Sequence, residues 1–446
     1  MKKFKRNLVV LGLVLVLVFS IVGTGFAGVL MQGFYWDAPQ HGEAGVGDYA
    51  NYTWYDYLAS KAGELSQVGF SAIWFPPPSK GASGGYSVGY DVYDHYDLGN
   101  YHQQGTRKTR YGSKQELKNA IRTYHDHGMQ VYADTVLNHM SGGGGYSGKE
   151  YNYVHGKFEK GPQHFHPNHT HNDNYPPFHN EKFGHDICYY NDYNYMGDGL
   201  KEWSAWLKYN VWFDGYRVDF VKGISYDYMA SWNYTEPMKS SFVVGEYYDG
   251  DRNKINDWIN KTGAHAFDFP LHFTLKEMCN SSGYFDMRKL SNAGLIGINS
   301  HKAVTFVSNH DTDKDHPIRN NKLLAYAYIL THEGYPTVFW KDYYIYGMKD
   351  AIRNLVWIHE HLASGSTNVL HADNDLYVAR RNGYPGLIVG INDSNSWKSK
   401  WVQTNWRNTH IHDYTGGLDD MYVGNDGRVK ISVPPRGYTI LAPSGH

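Results

Sequence analysis

Eight short runs rich in β-branched and aromatic residues recur along the chain, most of them separated by stretches with helical periodicity, and this alternation restricts the fold more than any other feature. The runs cover 29–34, 71–75, 130–134, 215–219, 242–246, 265–269, 303–307 and 336–340. Between the second and third, Ser113-Lys114-Gln115-Glu116 has the capping-box pattern. Leu117, Ala120, Ile121 and Tyr124 share one helical face, and Gly128 closes the helix. Helices of the same quality are expected over 201–211, 252–261, 321–331 and 348–361. Strands that are apolar nearly throughout must be covered on both faces. The pattern therefore predicts an α/β chain closed into a (β/α)8 TIM barrel.

Two departures from the alternation define the remaining units. About 80 residues separate the third run from the fourth, too many for one helix and its loops, so a small domain is expected after strand 3. It opens on Ser141-Gly142-Gly143-Gly144-Gly145 and is rich in His, Asn, Tyr and Pro. Beyond Ala363 the runs shorten and alternate, as at 376–380, 386–391 and 429–433, with a turn signal at Asn425-Asp426-Gly427, which predicts a C-terminal antiparallel β-sandwich.

At the other end, Lys2, Lys3, Lys5 and Arg6 precede an apolar run over 8–22, and Gly25-Phe26-Ala27 supplies a small-x-small cleavage site. The run falls short of the roughly 20 residues that span a bilayer, so an export signal is expected rather than an anchor. The expected division is a signal peptide at 1–27, barrel at 28–139 and 193–363, an inserted domain at 140–192 and the sandwich at 364–446.

Charge and cysteine content narrow the function. With 42 basic against 44 acidic side chains the net charge is -2, which offers no electrostatic footprint for nucleic acid. The two cysteines, Cys188 and Cys279, rule out a disulfide scaffold and leave their pairing open. The aromatic share of 16% suits either a large aromatic core or the stacking of sugar rings.

In a barrel of this kind catalytic groups sit at the C-terminal ends of the strands. Asp134 ends the third run, Asp219 the fourth and Glu246 the fifth, and Asp311 follows the seventh. A single such acid reads as a cap or loop residue. Four converging on one mouth, with Arg217 two residues before Asp219 and so on the same side of its strand, read as chemistry. Carboxylates around a cleft with an arginine beside one of them match glycoside cleavage. One carboxylate stays ionised and attacks the anomeric carbon, while a second keeps its proton for the leaving oxygen. His139 and His310 fit as partners for sugar hydroxyls.

Four segments carrying these residues resemble, in order, the short sequence regions of the α-amylase family of glycoside hydrolases. They are Asp134-Thr135-Val136-Leu137-Asn138-His139, Gly215-Tyr216-Arg217-Val218-Asp219-Phe220-Val221-Lys222, Gly245-Glu246 and Phe306-Val307-Ser308-Asn309-His310-Asp311. Gly84 to Asp91 and Phe267-Asp268-Phe269-Pro270 extend the resemblance towards secreted archaeal and bacterial members. The resemblance implies a secreted, retaining, endo-acting hydrolase of α-1,4-glucans such as starch, glycogen and maltooligosaccharides, with no membrane partner after signal cleavage and a monomeric state. It implies Asp219 as nucleophile, Glu246 as acid/base and Asp311 as the third carboxylate. Tyr90, His139, Arg217 and His310 would line the subsite of the reacting ring, with Lys222 one subsite further on.

The same resemblance implies Ca²⁺ held by Asn138, Asp186 and the carbonyl of Gly223, with Asp173 or its neighbour Asn174 as a further ligand, all hard oxygen donors. His166, His171 and Cys188 are similar to a structural Zn²⁺ site of one archaeal subgroup. Gly85-Tyr86-Ser87-Val88-Gly89 formally matches a serine-hydrolase nucleophile elbow, but no helix is expected to follow it. A transglycosylase of the same family and a non-catalytic polysaccharide-binding protein are the other readings. The second leaves an intact nucleophile and acid unexplained.

Overall fold

The computed structural model describes residues 28–40, 53–144, 148–166, 183–190 and 192–445. The expected export signal, Asp173 and His171 lie outside the described residues. Eight parallel strands close into a barrel: β1 (Val29–Gln32), β2 (Phe70–Phe75), β3 (Gln130–Thr135), β4 (Gly215–Val218), β5 (Phe242–Gly245), β6 (His265–Phe267), β7 (Ala303–Phe306) and β8 (Tyr335–Phe339), each bonded to its neighbours in sequence and β8 to β1. The longer helices α1 (Trp54–Val68), α2 (Lys114–Asp126), α3 (Tyr195–Trp206), α4 (Tyr226–Asn233), α5 (Arg252–Thr262), α6 (Phe269–Asn280), α7 (Lys322–Ile329) and α8 (Lys349–Leu362) follow the strands one by one. Among the described residues no helix is long and apolar enough to cross a membrane.

The strands are apolar on both faces because each face meets its own core. Along β2, Ala72 and Trp74 join an inner cluster with Leu30, Tyr132, Val244, Phe267 and Phe306, while Ile73 and Phe75 pack outward against the helices. The same parity sends Tyr216 and Val218 outward from β4 and leaves Arg217 facing in. α2 begins where the capping box lies: Glu116 N–H donates to Ser113 Oγ at 3.3 Å and Glu116 Oε2 accepts from Ser113 N–H at 2.7 Å.

The helix expected over 201–211 starts earlier, at Tyr195, and ends in a π-turn at Leu207–Val211. Gly197 and Gly199 weaken its periodic signal, yet Gly197 lies so near the Tyr189 carbonyl that a Cβ there would sit 2.7 Å from that oxygen.

The chain after β3 folds back on itself. Two-residue strands His139–Met140 and His185–Asp186 pair antiparallel, and Phe165 bridges Ile187. The C-terminal part forms a six-stranded antiparallel sheet of β9 (Thr367–Ala372), β10 (Leu376–Arg381), β11 (Leu387–Asn392), β13 (Thr409–Asp413), β14 (Met421–Val423) and β16 (Gly437–Pro443). A two-stranded sheet of β12 (Lys398–Gln403) and β15 (Arg428–Val433) packs against it through Val402, Val429, Ile431 and Val433. Cys188 and Cys279 are both buried and free.

Candidate active site

The register of the parallel strands places the charged groups. Asp134 of β3 is the Cα partner of Arg217 in β4, and Arg217 in turn pairs with Val244 of β5, two residues before Glu246. Side chains at matched positions of parallel strands point to one face, so Asp134, Arg217, Asp219 and Glu246 converge at the top of the inner core. Arg217 is 1% exposed and bridges all three acids. Its Nη1 lies 2.8 Å from Asp134 Oδ1 and 2.8 Å from Asp219 Oδ1, and its Nη2 lies 2.7 Å from Glu246 Oε2. The guanidinium also stands 5.0 Å from the centre of the Trp74 ring.

The four strand-end acids are not equivalent. Asp134 sits at the base, where Trp74 Nε1 (3.1 Å) and Tyr90 Oη (2.7 Å) donate to Oδ2 while Arg217 holds Oδ1. Asp219, Glu246 and Asp311 instead line a cleft of about 730 Å³, together with Trp36, Tyr90, His139, Lys222, Tyr248 and His310 among others. Glu246 Oε2 also accepts the Phe220 N–H at 3.1 Å. Phe220 is in the left-handed region, with φ 42°, which turns the chain after β4 towards β5. Asp311 is the most open of the three and accepts a hydrogen bond from Trp36 Nε1 at 3.1 Å.

Burial raises all three carboxyls bridged by Arg217, and neighbouring charges separate them. Burial, opposed by Arg217 and reinforced by the charges of Asp219 and Asp311, pushes Glu246 up to about 8. Asp219 and Asp134 are raised by burial to about 6, again against the pull of Arg217. Burial holds His310 down at about 4, so its ring is neutral. Its Nδ1 faces the Gln32 amide at 2.9 Å and its Nε2 the Tyr90 hydroxyl at 2.8 Å, and the Tyr90 and His310 rings stack at 5.3 Å. His139 bonds the Tyr90 carbonyl at 2.9 Å, and Lys222 Nζ donates to the Tyr248 carbonyl at 3.0 Å.

All eight residues expected at the catalytic and sugar-binding positions thus meet in one place. Sequence reading missed Trp36, Gln32 and Trp74. Gln32 ends β1 and Trp74 lies near the end of β2, so the rule that points to strand ends applies to them too, but neither carries charge to draw notice. Ser87 is no nucleophile elbow. It donates to the Asp91 carboxylate, accepts the Gly89 N–H at 2.9 Å, and is followed by the extended Val92–Asp94.

Beside the cleft, Asn138 Oδ1 is buried without a hydrogen-bond partner, close against Gly223, where a Cβ would collide with it. Asp186 lies across the short strand pair, opposite His139. An orphaned amide oxygen, a bare glycine backbone and a carboxylate fit a hard cation. His166 meets Asp186 rather than Cys188, with Nδ1 2.8 Å from Oδ2, because the Phe165–Ile187 bridge sets 166 opposite 186. Among the described residues no group of three or more His, Cys, Asp or Glu side chains is assembled for a metal ion.

A closed barrel with an arginine-bridged set of carboxyls at its C-terminal mouth defines the class as an enzyme of the barrel type. Comparison with known proteins narrows it. A family model described as "Alpha amylase, catalytic domain" matches residues 56–339, and one described as "Alpha-amylase C-terminal" matches residues 387–442. The chain is 30% identical over 470 residues to the α-amylase of Bacillus licheniformis, covering 89% of this chain and 90% of that protein. It is likewise 30% identical over 501 residues to the α-amylase of Geobacillus stearothermophilus, covering 94% and 87%. The solved structure of an Anoxybacillus α-amylase superposes with a TM-score of 0.72 at 16% identity, covering 94% of this chain and 98% of that one, a likeness of fold. The chain belongs to the α-amylase family and is a glycoside hydrolase.

Proposed function

We propose that the enzyme hydrolyses internal α-1,4-glucosidic bonds of starch, glycogen and maltooligosaccharides with retention, through a covalent glycosyl-enzyme intermediate. The observation that carries this reading is the Arg217 bridge at the cleft, with Nη1 2.8 Å from Asp219 Oδ1 and Nη2 2.7 Å from Glu246 Oε2. At neutral pH Asp219, at about 6, is ionised, while Glu246, at about 8, keeps its proton. Two donors already occupy Glu246 Oε2, so the proton resides on Oε1. Asp219 Oδ1 is held by Arg217, so Oδ2 attacks the anomeric carbon as Glu246 Oε1 protonates the departing glycosidic oxygen. In the second half, the Glu246 carboxylate takes a proton from water, whose oxygen displaces Asp219 and restores both groups. The two ends of one guanidinium, Nη1 and Nη2, hold Asp219 and Glu246 at the same cation.

Asp311 orients the sugar hydroxyls beside the reacting carbon, with Trp36 fixing its carboxylate. Neutral His310 and His139 partner further hydroxyls, Tyr90 presents its ring to the sugar, and Lys222 binds the next unit. The proposed Ca²⁺ ligands are Asn138 Oδ1, Asp186 and the Gly223 carbonyl, with Asp173 or Asn174 completing the set. Such an ion would fasten the inserted segment over the barrel, where Phe183 packs on the Phe220 ring at 4.7 Å and walls the cleft. A structural Zn²⁺ on His166, His171 and Cys188 belongs to the same proposal. The Asp186–His166 bond is of the carboxylate–imidazole type that orients a metal-bound ring. Metal analysis of the purified protein tests both ions. Secretion as a monomer after loss of 1–27, and the division at 28–139, 140–192, 193–363 and 364–446, are also proposed.

The test is NMR of the anomers first released from soluble starch. Initial α-product from the wild type, absent from Glu246→Gln, is the expected result. Initial β-product would overturn retention, and no release from any α-glucan would overturn the substrate assignment.

A further inference from the structure

Of the 13 tryptophans in the chain, only Trp397 and Trp401 are exposed, each by 56%, and they lie four residues apart, the first immediately before β12 and the second in its middle. Their setting is regular. In the β12–β15 pair, Lys398, Lys400 and Val402 share the face of Val433, Ile431 and Val429, the last three of which pack into the C-terminal core. Ser399, Trp401 and Gln403 therefore face outward beside Ser432, Lys430 and Arg428, and Trp397 is exposed immediately before the strand begins. Between the two indoles the Ser399 and Ser432 hydroxyls bond each other at 2.8 Å. The Arg428 guanidinium stands 5.7 Å from the Trp401 ring centre and steadies its tilt. The outward face is a line of aromatic ring, hydroxyl pair, aromatic ring, with Lys430 directly beside the second ring.

We propose that this face is a second, non-catalytic binding site for an α-glucan chain, on the opposite unit of the molecule from the cleft. The inference rests on the proposed α-glucan substrate. The four residues of chain from Trp397 to Trp401 can set the indoles up to about 13 Å apart, room for several successive sugar rings. The C–H faces of pyranose rings stack on indoles, and their hydroxyl edges find the Ser399–Ser432 pair between the rings and the Lys430 ammonium beside the second. The dimensions favour a polymer chain over a second copy of the protein as occupant. The two half-exposed indoles offer on the order of 280 Å² of aromatic surface, whereas a stable protein interface covers about 800 Å² per partner. The flanking Lys430 and Arg428 would also set like charges against each other across a two-fold contact. A narrow, neutral, linear polymer meets neither obstacle. Holding the polymer at the C-terminal sheet raises the local concentration of glucan at the cleft without altering the chemistry there.

The experiment compares full-length Glu246→Gln, which leaves its substrate intact, with the triple variant that adds Trp397→Ala and Trp401→Ala. The readout is adsorption to granular starch. Binding is expected to weaken about tenfold or more in the triple variant, and Trp401→Tyr in its place should recover part of it. With an active Glu246, W397A/W401A should keep the kcat/KM of the wild type on maltoheptaose, which the cleft alone accommodates, and lose rate on granules. Unchanged adsorption would overturn the second site. A concentration-dependent dimer in light scattering that the double variant abolishes would overturn it in favour of a second copy. If the wild type hydrolyses no α-glucan at all, it is the substrate reading that has failed. If it hydrolyses soluble starch normally and adsorption is indifferent to the tryptophans, only the present inference has.

Discussion

At the mouth of the barrel, Asp134, Arg217, Asp219 and Glu246 come from adjacent strands whose register already sets them side by side, and their charges are bridged within the protein itself. Beside it, Asn138, His166 and Asp186 meet only because the chain leaves β3 and returns, and Asn138 Oδ1 is left buried without a protein partner. The first site is held by the sheet and completes itself. The second is held by loops and short strand pairs, and it leaves one buried amide oxygen without a hydrogen bond. The difference follows from where the backbone hydrogen bonds lie: a ladder fixes side chains to a few tenths of an ångström, whereas an excursion needs side-chain or metal contacts to do so.

Mutation of the chemistry itself tests the first half of this contrast. Asp219→Asn and Glu246→Gln should each lower kcat by about 10³-fold or more while the fold survives, since the remaining acids still neutralise Arg217. A loss of folded protein in either variant would show that the cluster is a structural keystone first. Arg217→Met is the converse. Removing the bridging cation strands three buried carboxyls and should cost about 3–5 kcal/mol of stability, read by denaturant unfolding, and shift the acidic limb of any remaining activity to higher pH.

For the loop-built site, chelation is the corresponding probe. Removing Ca²⁺ should lower Tm by several degrees, corresponding to about 2–3 kcal/mol at saturating ion, and should open the inserted segment to proteolysis before the barrel. Asn138→Ala should make Tm indifferent to added Ca²⁺. If chelation left both Tm and proteolysis unchanged, the orphaned amide would be a plain buried polar group.

The smallest effect is one of linkage. Asp134, Asp219 and Glu246 all have folded values above their ordinary ones, so the folded state binds the extra protons and stability falls as pH rises from about 4 to about 8. Glu246→Gln cannot ionise, so it should raise Tm relative to wild type at pH 8.5 by more than at pH 5, measured by calorimetry. In the wild type, kcat/KM should rise with pH through about 6 as Asp219 ionises and fall through about 8 as Glu246 loses its proton.

Much of this was legible before any coordinates. The eight runs match the eight barrel strands to within two residues at every end, and the Ser113 capping box starts α2 as expected. What blurred was α3, where Gly197 serves packing against Tyr189 rather than helix propensity. At the site, charged residues at strand ends stood out, whereas Trp36, Gln32 and Trp74 did not. Neutral donors look like core or loop residues until the groups they bond are placed.

By itself the sequence determined the architecture, the convergence of four acids and one arginine on a single mouth, and the family resemblance. Strand periodicity and strand order are local properties, and they dictate which ends meet. Only the tertiary structure decided that Asp134 is sealed beneath Trp74 and Tyr90 while Asp219, Glu246 and Asp311 face the cleft, and that Glu246 is the carboxyl that holds its proton longest. Those outcomes depend on the depth of each carboxyl and on the summed field of its neighbours, quantities that arise from the whole packed barrel and that no stretch of chain carries alone.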